Sequence, residues 1–430
     1  MIQKIYNAFL ECHQKITIDT RNISEGCLFF ALKGPNFNGN QFAKEAIQKG
    51  AKYVIIDEKE YHINTKTFLV DNVLETLQAL ALFHRKKFKI PVVGITGTNG
   101  KTTTKELIGA VLSSKFNLLI TKGNLNNHIG VPLTLLQLNE NHQIAVIEMG
   151  ASKKGDIKEL ADISMPTHGL ITNIGKAHLE GFGDIETIRK TKLELYNNII
   201  ENNGEIIVNQ EDQYLLSKIP KDTKTHYYGS NNKGNIYGEV VSFNPTIEVK
   251  ITFEKENIFK VSTSLLGAYN LLNILAAAVV GKIFNLESEK ITSSIENYIP
   301  SNNRSQLINT VHNTLIVDCY NANPTSTLES LISLNLMKGI NKIAILGDML
   351  ELGEQSDIEH QLIVDFLVEK KIDCLLVGSC YNSTKSNFNK FENTDLLIEY
   401  LKKENLKEHL VLLKASRGIQ LEKIIKENIL

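Results

Sequence analysis

Cysteine is scarce in this 430-residue chain, and Cys12, Cys27, Cys319, Cys374 and Cys380 stand apart with no CxxC pair. An odd, scattered set argues against a disulfide framework and for reduced thiols, as in a cytoplasmic protein. Neither sign of charge is in excess: 47 Lys+Arg face 48 Asp+Glu, for a formal net charge of -1. That balance excludes a basic coat for nucleic acid and an acidic solvating tail. No apolar run is long enough to span a bilayer, since the most apolar stretch, Leu271–Val280, is short and broken by Asn273. Met1–Lys15 has neither a signal-like apolar run nor a small-residue cleavage site. Repeats with a period of about 20–50 residues and low-complexity tracts are also missing. What remains is an ordinary globular composition, 42% hydrophobic and 22% charged, long enough for several domains.

Three α/β blocks emerge along the chain. Residues 1–88 mix short apolar runs, Val54–Ile56 and Phe68–Val70, with helical patterning around Gln41–Gly50 and Leu74–Lys86. From residue 89, apolar strands alternate with helical stretches: Pro91–Thr96, Asn117–Ile120, Ile144–Glu148, His168–Ile174 and Glu205–Val208. This alternation predicts a parallel sheet covered on both faces. Thr246–Thr263 alternates apolar and polar residues, which predicts a hairpin before a helix at Leu265–Phe284. The polar breaker Pro300–Asn303 marks a boundary at residue 300. Beyond it, Leu307–Asp318, Lys342–Gly347, Cys374–Gly378 and Leu410–Leu413 read as strands of a second doubly wound unit, residues 301–430.

The strongest chemical signal is Val92–Thr104, where an apolar strand feeds a glycine-rich turn and Lys101-Thr102 opens a helix. Glycines let backbone N–H groups converge on phosphate oxygens, and a helix N-terminus adds its positive dipole end. Lys101 then reaches the β/γ-phosphates and the Thr102 hydroxyl ligates Mg²⁺. The spacing is Gly94-x-x-Gly97-x-x-Gly100-Lys101-Thr102, because Ile95 stands where the common phosphate-loop pattern has its first glycine. Glu148 ends a buried strand at the same sheet edge, where a hard metal ion takes oxygen ligands; a capping or loop glutamate fits the position equally. His178 follows another strand and on its own reads first as a structural hydrogen-bonder, second as a ligand. Lys192 falls on an amphipathic helix, where a solvated lysine is the default.

Together these residues resemble the Mur ligase family, ATP-dependent amide-forming enzymes of peptidoglycan assembly. Gly97–Thr102 matches the family's phosphate loop, Asn173–His178 its metal-histidine stretch, and Leu266–Asn273 its adenine-side motif. Asp318–Pro324, Gly347–Gly353 and Gly123–Pro132 resemble the branch that adds D-alanyl-D-alanine to UDP-N-acetylmuramoyl-tripeptide. Asp19-Thr20-Arg21 with Gly26–Gly34 resembles its uridine-nucleotide-binding domain.

The resemblance implies a three-domain fold: a small α/β domain for the UDP-sugar-peptide (1–88), a central ATP-binding domain (89–300), and a Rossmann-like domain for the amine and nucleotide closure (301–430). It implies Lys101, Glu148, His178 and Lys192 as catalytic. ATP would be held by Gly97, Thr98, Asn99, Gly100, Lys101, Thr102, Thr103, Asn127, Asn270, Asn273, Arg304 and Asp318. Two Mg²⁺ would sit on Thr102, Glu148, His178 and Lys192, the last as a carbamate. Thr20 and Arg21 would face the UDP-substrate, and Tyr320, Asn321, Asn323, Lys414, Ser416 and Arg417 the amine. A cytoplasmic monomer, with no nucleic-acid partner and no transmembrane segment, completes the expectation. Tyr269, Ala415 and Phe37-Asn38-Gly39-Asn40 depart from the family pattern. Rival readings are another Mur-type or folylpolyglutamate-type amide ligase, and a phosphate-loop NTPase switch, which would leave the first and third blocks without a role.

Overall fold

The computed structural model of the chain describes all residues except 232–233, 244, 254–256, 301–303, 338–340 and 405. Three sheets carry the architecture. In the first, the strands Ile16–Thr17, Leu28–Phe30, Tyr53–Ile56 and Thr67–Leu69 run parallel in that order. Side-chain alternation between two covered faces explains why its two central strands are apolar throughout. Leu28, Phe30 and Ile55 face the helices Ile2–Glu11 and Val73–Arg85, while Phe29, Val54 and Ile56 face Ala43 and Ala46 of the helix Ala43–Gln48.

The helix Val73–Arg85 also seals the first domain to the middle one. Leu77 and Leu80 share a core with Val131 and Leu135, and the buried Arg85 donates to the carbonyls of Ser164, Phe88, Ile90 and Met165. These bonds to carbonyl oxygens offset part of the cost of burying the guanidinium, so the joint is both apolar and polar.

The middle sheet has nine strands, in the order Asn257–Leu266, Thr246–Phe253, Ile236–Phe243, Thr225–Gly229, Glu205–Asn209, His168–Ile171, Val92–Thr96, Ile144–Glu148, Leu118–Ile120. The last seven are parallel; the first two pair antiparallel. Again the two faces divide the residues: Val92, Ala145 and Ile147 enter one core, and Val93, Ile95 and Val146 the other. Full burial of such a side chain contributes about 1.5–3 kcal/mol. The chain order reverses at Val92–Thr96, with Ile144–Glu148 on one side and His168–Ile171 on the other. Loops leaving the carboxyl ends there diverge and open a crevice.

In the third domain six strands follow the order Gln306–Asn309, Thr314–Asp318, His409–Lys414, Asn341–Gly347, Asp373–Val377, Asn389–Phe391, parallel except the first pair. It packs on the middle domain through Leu179, Phe182 and Ile188, which share a core with Met349 and Leu352.

Two expectations are corrected. Leu307–Asp318 is not one strand but a hairpin, because Thr310 accepts the Asn313 amide on Oγ1 at 2.9 Å and donates its own N–H to the Asn313 carbonyl at 2.9 Å. The helix read from Leu265 begins at Asn270, since the preceding strand runs to Leu266 and Gly267 turns the chain at φ +82°. The hairpin at Thr246–Thr263 is present and gains a third strand, Ile236–Phe243. Of the breaker read at Pro300–Asn303, residues 301–303 lie outside the described residues. All five cysteines are unpaired, and among the described residues no helix is long and apolar enough to cross a membrane.

Candidate active site

Where the middle sheet reverses, the segment from Gly97 to Gly100 turns from strand into helix. Gly97 has φ +145°, and a Cβ there would meet the Thr172 hydroxyl at 2.0 Å; Gly100, at φ +77°, stands directly before the helix Lys101–Ser113. Neighbouring loops hold the turn. Thr98 N donates to the Asn173 carbonyl at 2.9 Å, Asn99 N to Asn173 Oδ1 at 2.9 Å, and the Thr172 hydroxyl to the Asn99 carbonyl at 2.6 Å. Lys101 Nζ folds back onto the carbonyls of Gly97 and Thr98, at 2.7 and 2.8 Å. Burial pushes its pKa down to about 8, with Glu148 opposing and Arg304 adding to the shift.

Glu148 is 1% exposed at the end of its strand. Its carboxylate accepts from the Thr102 hydroxyl, 3.1 and 2.9 Å from the two oxygens, and from Asn126 Nδ2 at 2.7 Å. Among the described residues the nearest cation is Lys105, also buried, whose Nζ is 3.9 Å from Glu148 Oε2. A buried carboxylate with a cation only at that range and oxygen donors beside it suits a hard divalent ion. Asn126 and Lys105 were absent from the residues picked out by sequence. Asn126 lay inside the Gly123–Pro132 stretch, whereas Lys105 gave no signal beyond its helical turn.

A cleft of about 750 Å³ brings most of the expected residues together. Thr98, Asn99, Gly100, Lys101, Thr102, Thr103, Asn127, Glu148, His178, Asn270 and Asn273 line it from the middle domain. Arg304, Asp318, Tyr320, Asn321, Asn323, Lys414 and Arg417 line it from the other side. Asn273 accepts from the Thr104 hydroxyl at 3.0 Å and donates to Asn270 Oδ1 at 2.7 Å, while Asn270 donates to the Leu266 carbonyl. Asn323 caps the helix Pro324–Leu336 through Ser326 N and reaches Asn99 Oδ1 at 2.8 Å, bridging the two domains. The Arg304 guanidinium lies 3.7 Å from the centre of the Tyr320 ring, and Lys414 Nζ pairs with Asp318 Oδ2 at 2.6 Å.

Five expected residues do not line the cleft; one is Gly97, at the strand end of the turn. Thr20 and Arg21 belong to the first domain, where Arg21 is bound by Asp19 and its side chain is 86% exposed. Ser416 stands behind the cleft wall and accepts the Leu350 amide at 2.9 Å. Lys192 is 3% exposed and lies over the Phe182 ring at 5.9 Å; among the described residues its ammonium has no hydrogen-bond or carboxylate partner. Burial, and then the Lys101 charge, hold its pKa well below the usual lysine value. The solvated lysine expected from the helical pattern is therefore a buried one.

Asp348, His360 and Cys380 also cluster, outside the cleft. The Met349 amide donates to His360 Nε2, His360 Nδ1 donates to the Ser356 carbonyl, and Asp348 accepts the amides of Cys380 and Tyr381. With both ring nitrogens engaged, the cluster is a structural junction. The unusual Asn38 and Asn40 are likewise used internally: Asn38 donates to Glu58, and Asn40 donates to Asp57 and accepts its amide.

Comparison with known proteins agrees with this geometry. Profiles described as Mur ligase family, catalytic domain, Mur ligase middle domain, and Mur ligase, glutamate ligase domain match residues 13–86, 95–281 and 303–417. The UDP-N-acetylmuramoyl-tripeptide–D-alanyl-D-alanine ligase of Bacillus subtilis (strain 168) is 34% identical over 427 residues, covering 96% of this chain and 92% of the relative. The chain belongs to the Mur ligase family.

Solved Mur ligases share its shape. MurF ligase from Thermotoga maritima, in complex with ADP, superposes with a TM-score of 0.87 at 28% identity, covering 97% of each chain. A MurF crystal structure from Acinetobacter baumannii gives 0.87 at 29% identity, covering 96% of this chain and 93% of that one. The three-domain α/β architecture of this Mur ligase is thus the one seen in those enzymes.

Proposed function

We propose that this Mur ligase joins D-alanyl-D-alanine to UDP-N-acetylmuramoyl-tripeptide, converting ATP to ADP and phosphate. One observation carries the reading: the phosphate loop of the middle domain and the Arg304–Asp318–Lys414 group of the third face one cleft, in a chain similar over its length to a ligase of that name. Residues 1–88 then take the UDP-sugar-peptide through Thr20 and Arg21. Residues 89–300 take ATP, and 301–430 bring the amine and close on the nucleotide. The cytoplasm, supported by the unpaired thiols, belongs to the same proposal, as does a monomeric state.

Amide formation needs an activated acyl group. The tripeptide's carboxylate oxygen attacks the γ-phosphorus, ADP leaves, and the dipeptide amine attacks the acyl phosphate, from which phosphate departs. The chain's work is positioning and charge neutralisation. With the Thr98 and Asn99 amides held by Asn173, the amides of Gly100–Thr103 at the N-terminus of the helix Lys101–Ser113 meet phosphate oxygens, and Lys101 exchanges its carbonyl partners for them. Asn127, Asn270 and Asn273 hold the nucleotide, with Arg304 and Asp318 approaching from the third domain. Tyr320, Asn321, Asn323, Lys414, Ser416 and Arg417 shape the amine side. Thr102, Glu148 and His178 would hold Mg²⁺, which supplies positive charge against the phosphates. A second ion needs an anion where Lys192 stands. Its neutral amine can add to CO₂, forming an N–C bond and releasing one proton, and the resulting carbamate supplies that anion.

The test is an ADP-release assay with purified chain. Release should require the UDP-linked tripeptide and D-alanyl-D-alanine together. Full turnover with either one missing, or none with both, would overturn the proposal. Partner-independent hydrolysis would favour an NTPase switch instead.

A further inference from the structure

The stretch Gly347–Gly353 packs Met349 and Leu352 into the domain junction. Its loop reaches across the domain junction. Glu351 Oε2 hydrogen-bonds with His178 Nδ1, and the Glu351 carbonyl accepts the Glu180 amide at 3.2 Å. Eight residues on, buried Glu359 pairs with Lys176 at 2.6 Å. The segment 176–180 is therefore gripped by the third domain on both sides of His178. Both partners sit in the left-handed region, His178 at φ +51° and Glu351 at φ +65°. Side chains other than glycine rarely adopt it, and such conformations persist where surrounding contacts impose them.

Both side chains line the cleft. A carboxylate only accepts, so the neutral imidazole facing it carries its proton on Nδ1 and its lone pair on Nε2. Among the described residues Nε2 has no hydrogen-bond partner. The group facing Nδ1 is thus contributed by another domain.

We propose that Glu351 is a positioning residue: it fixes His178 in the Nδ1–H tautomer with Nε2 free for a divalent cation, so that docking of the third domain completes the metal side of the middle domain. This rests on reading His178 as a metal ligand. Carboxylates that hold a ligating histidine by its second nitrogen raise its basicity and fix its direction, and their loss typically weakens metal binding about 10–100-fold. Glu351 acts only when the domains are docked, so the tie makes metal affinity depend on closure. An ordinary surface ion pair would leave both tautomer and affinity untouched.

The test uses the full chain labelled with ¹⁵N-histidine and kept metal-free, at about pH 8 so that imidazoles are neutral. The His178 resonances are assigned by their loss in His178→Asn. Wild type should show Nδ1–H, Glu351→Gln should keep it through the amide oxygen, and Glu351→Ala should shift the ring toward Nε2–H. Mn²⁺ titration by electron paramagnetic resonance with ADP present should then show affinity weakened about 10–100-fold in Glu351→Ala and less in Glu351→Gln. Melting midpoints confirm that the variants fold, and Glu351→Gln serves should the alanine variant fail to. Wild type in the Nε2–H form, or an unchanged tautomer or Mn²⁺ affinity in Glu351→Ala, would overturn the proposal. Undiminished Mn²⁺ binding in His178→Asn would instead overturn the reading of His178 as a ligand.

Discussion

The Thr102 hydroxyl lies 3.1 and 2.9 Å from the two oxygens of Glu148, joining the first turn of a helix to the end of the neighbouring strand. Both residues are buried, so removing the hydroxyl leaves the carboxylate with fewer partners, a loss of about 1–3 kcal/mol. Thr102→Ala should slow ADP release at least about tenfold and raise the Mg²⁺ concentration needed for half-maximal rate. Thr102→Ser restores the hydroxyl and should restore most of the rate. Initial rates against Mg²⁺ concentration decide it; equal curves for alanine and wild type would remove Thr102 from the metal side.

Asp318 and Lys414 pair at 2.6 Å, with the lysine side chain 1% exposed. Breaking a buried pair from one end leaves an uncompensated charge and costs about 3–5 kcal/mol. Asp318→Ala should therefore lower the unfolding midpoint of the third domain strongly. The double variant Asp318→Ala/Lys414→Met, with neither charge present, should recover a large part of that loss. Both can be read by calorimetry, and additive losses would mean that the pair is not coupled in stability.

The legible parts of this site are those where one residue type answers a local demand. Gly97 and Gly100 stand where the turn needs positive φ, and Glu148 closes an apolar strand beside the sheet's point of reversal. Asn270 and Asn273 sit one helical turn apart and hydrogen-bond to each other. The burial of Lys192 was not legible. Its helix, Ile185–Glu201, is amphipathic by pattern, but the short helix Leu179–Phe182 folds over it and buries the ammonium against Phe182. Glu351 was not legible as a partner of His178, because their contact joins residues 173 positions apart. The hairpin in Leu307–Asp318 was missed for a third reason: its turn is held by Thr310 and Asn313, whose polar side chains interrupt an apolar run without a glycine or proline to mark the bend.

His84 sits at the joint of the first and middle domains. Its Nε2 donates to the Leu138 carbonyl at 2.9 Å and its Nδ1 accepts from the Tyr6 hydroxyl at 3.2 Å, both satisfied in the neutral ring. Burial lowers its pKa below the ordinary histidine value, with the Leu138 carbonyl opposing. Below about pH 6.5 the unfolded chain then binds a proton that the folded chain does not, so stability falls with pH down to the folded-state value. Melting midpoints between about pH 7 and pH 5 should fall less steeply in His84→Gln, which keeps a donor near Leu138 and cannot titrate. Parallel curves would locate the acid sensitivity elsewhere.

Lys192 gives the most specific chemical prediction. Burial and the Lys101 charge disfavour its ammonium, so between the depressed folded pKa and the usual lysine value the unfolded chain holds the extra proton and stability rises with pH. The same depression supplies the neutral amine that CO₂ requires, without a catalyst. Chain incubated with ¹³C-bicarbonate should show a carbamate carbon resonance that is lost in Lys192→Ala. That variant should lose ligation, and a small carboxylate added at high concentration should return part of it by occupying the vacated space as an anion. Lys192→Met separates the two roles, because it keeps the apolar packing on Phe182 while removing the amine: it should be as inactive as alanine but closer to wild type in stability. A carbamate signal that persists in Lys192→Ala, or full ligation by either variant, would reduce Lys192 to a buried packing residue.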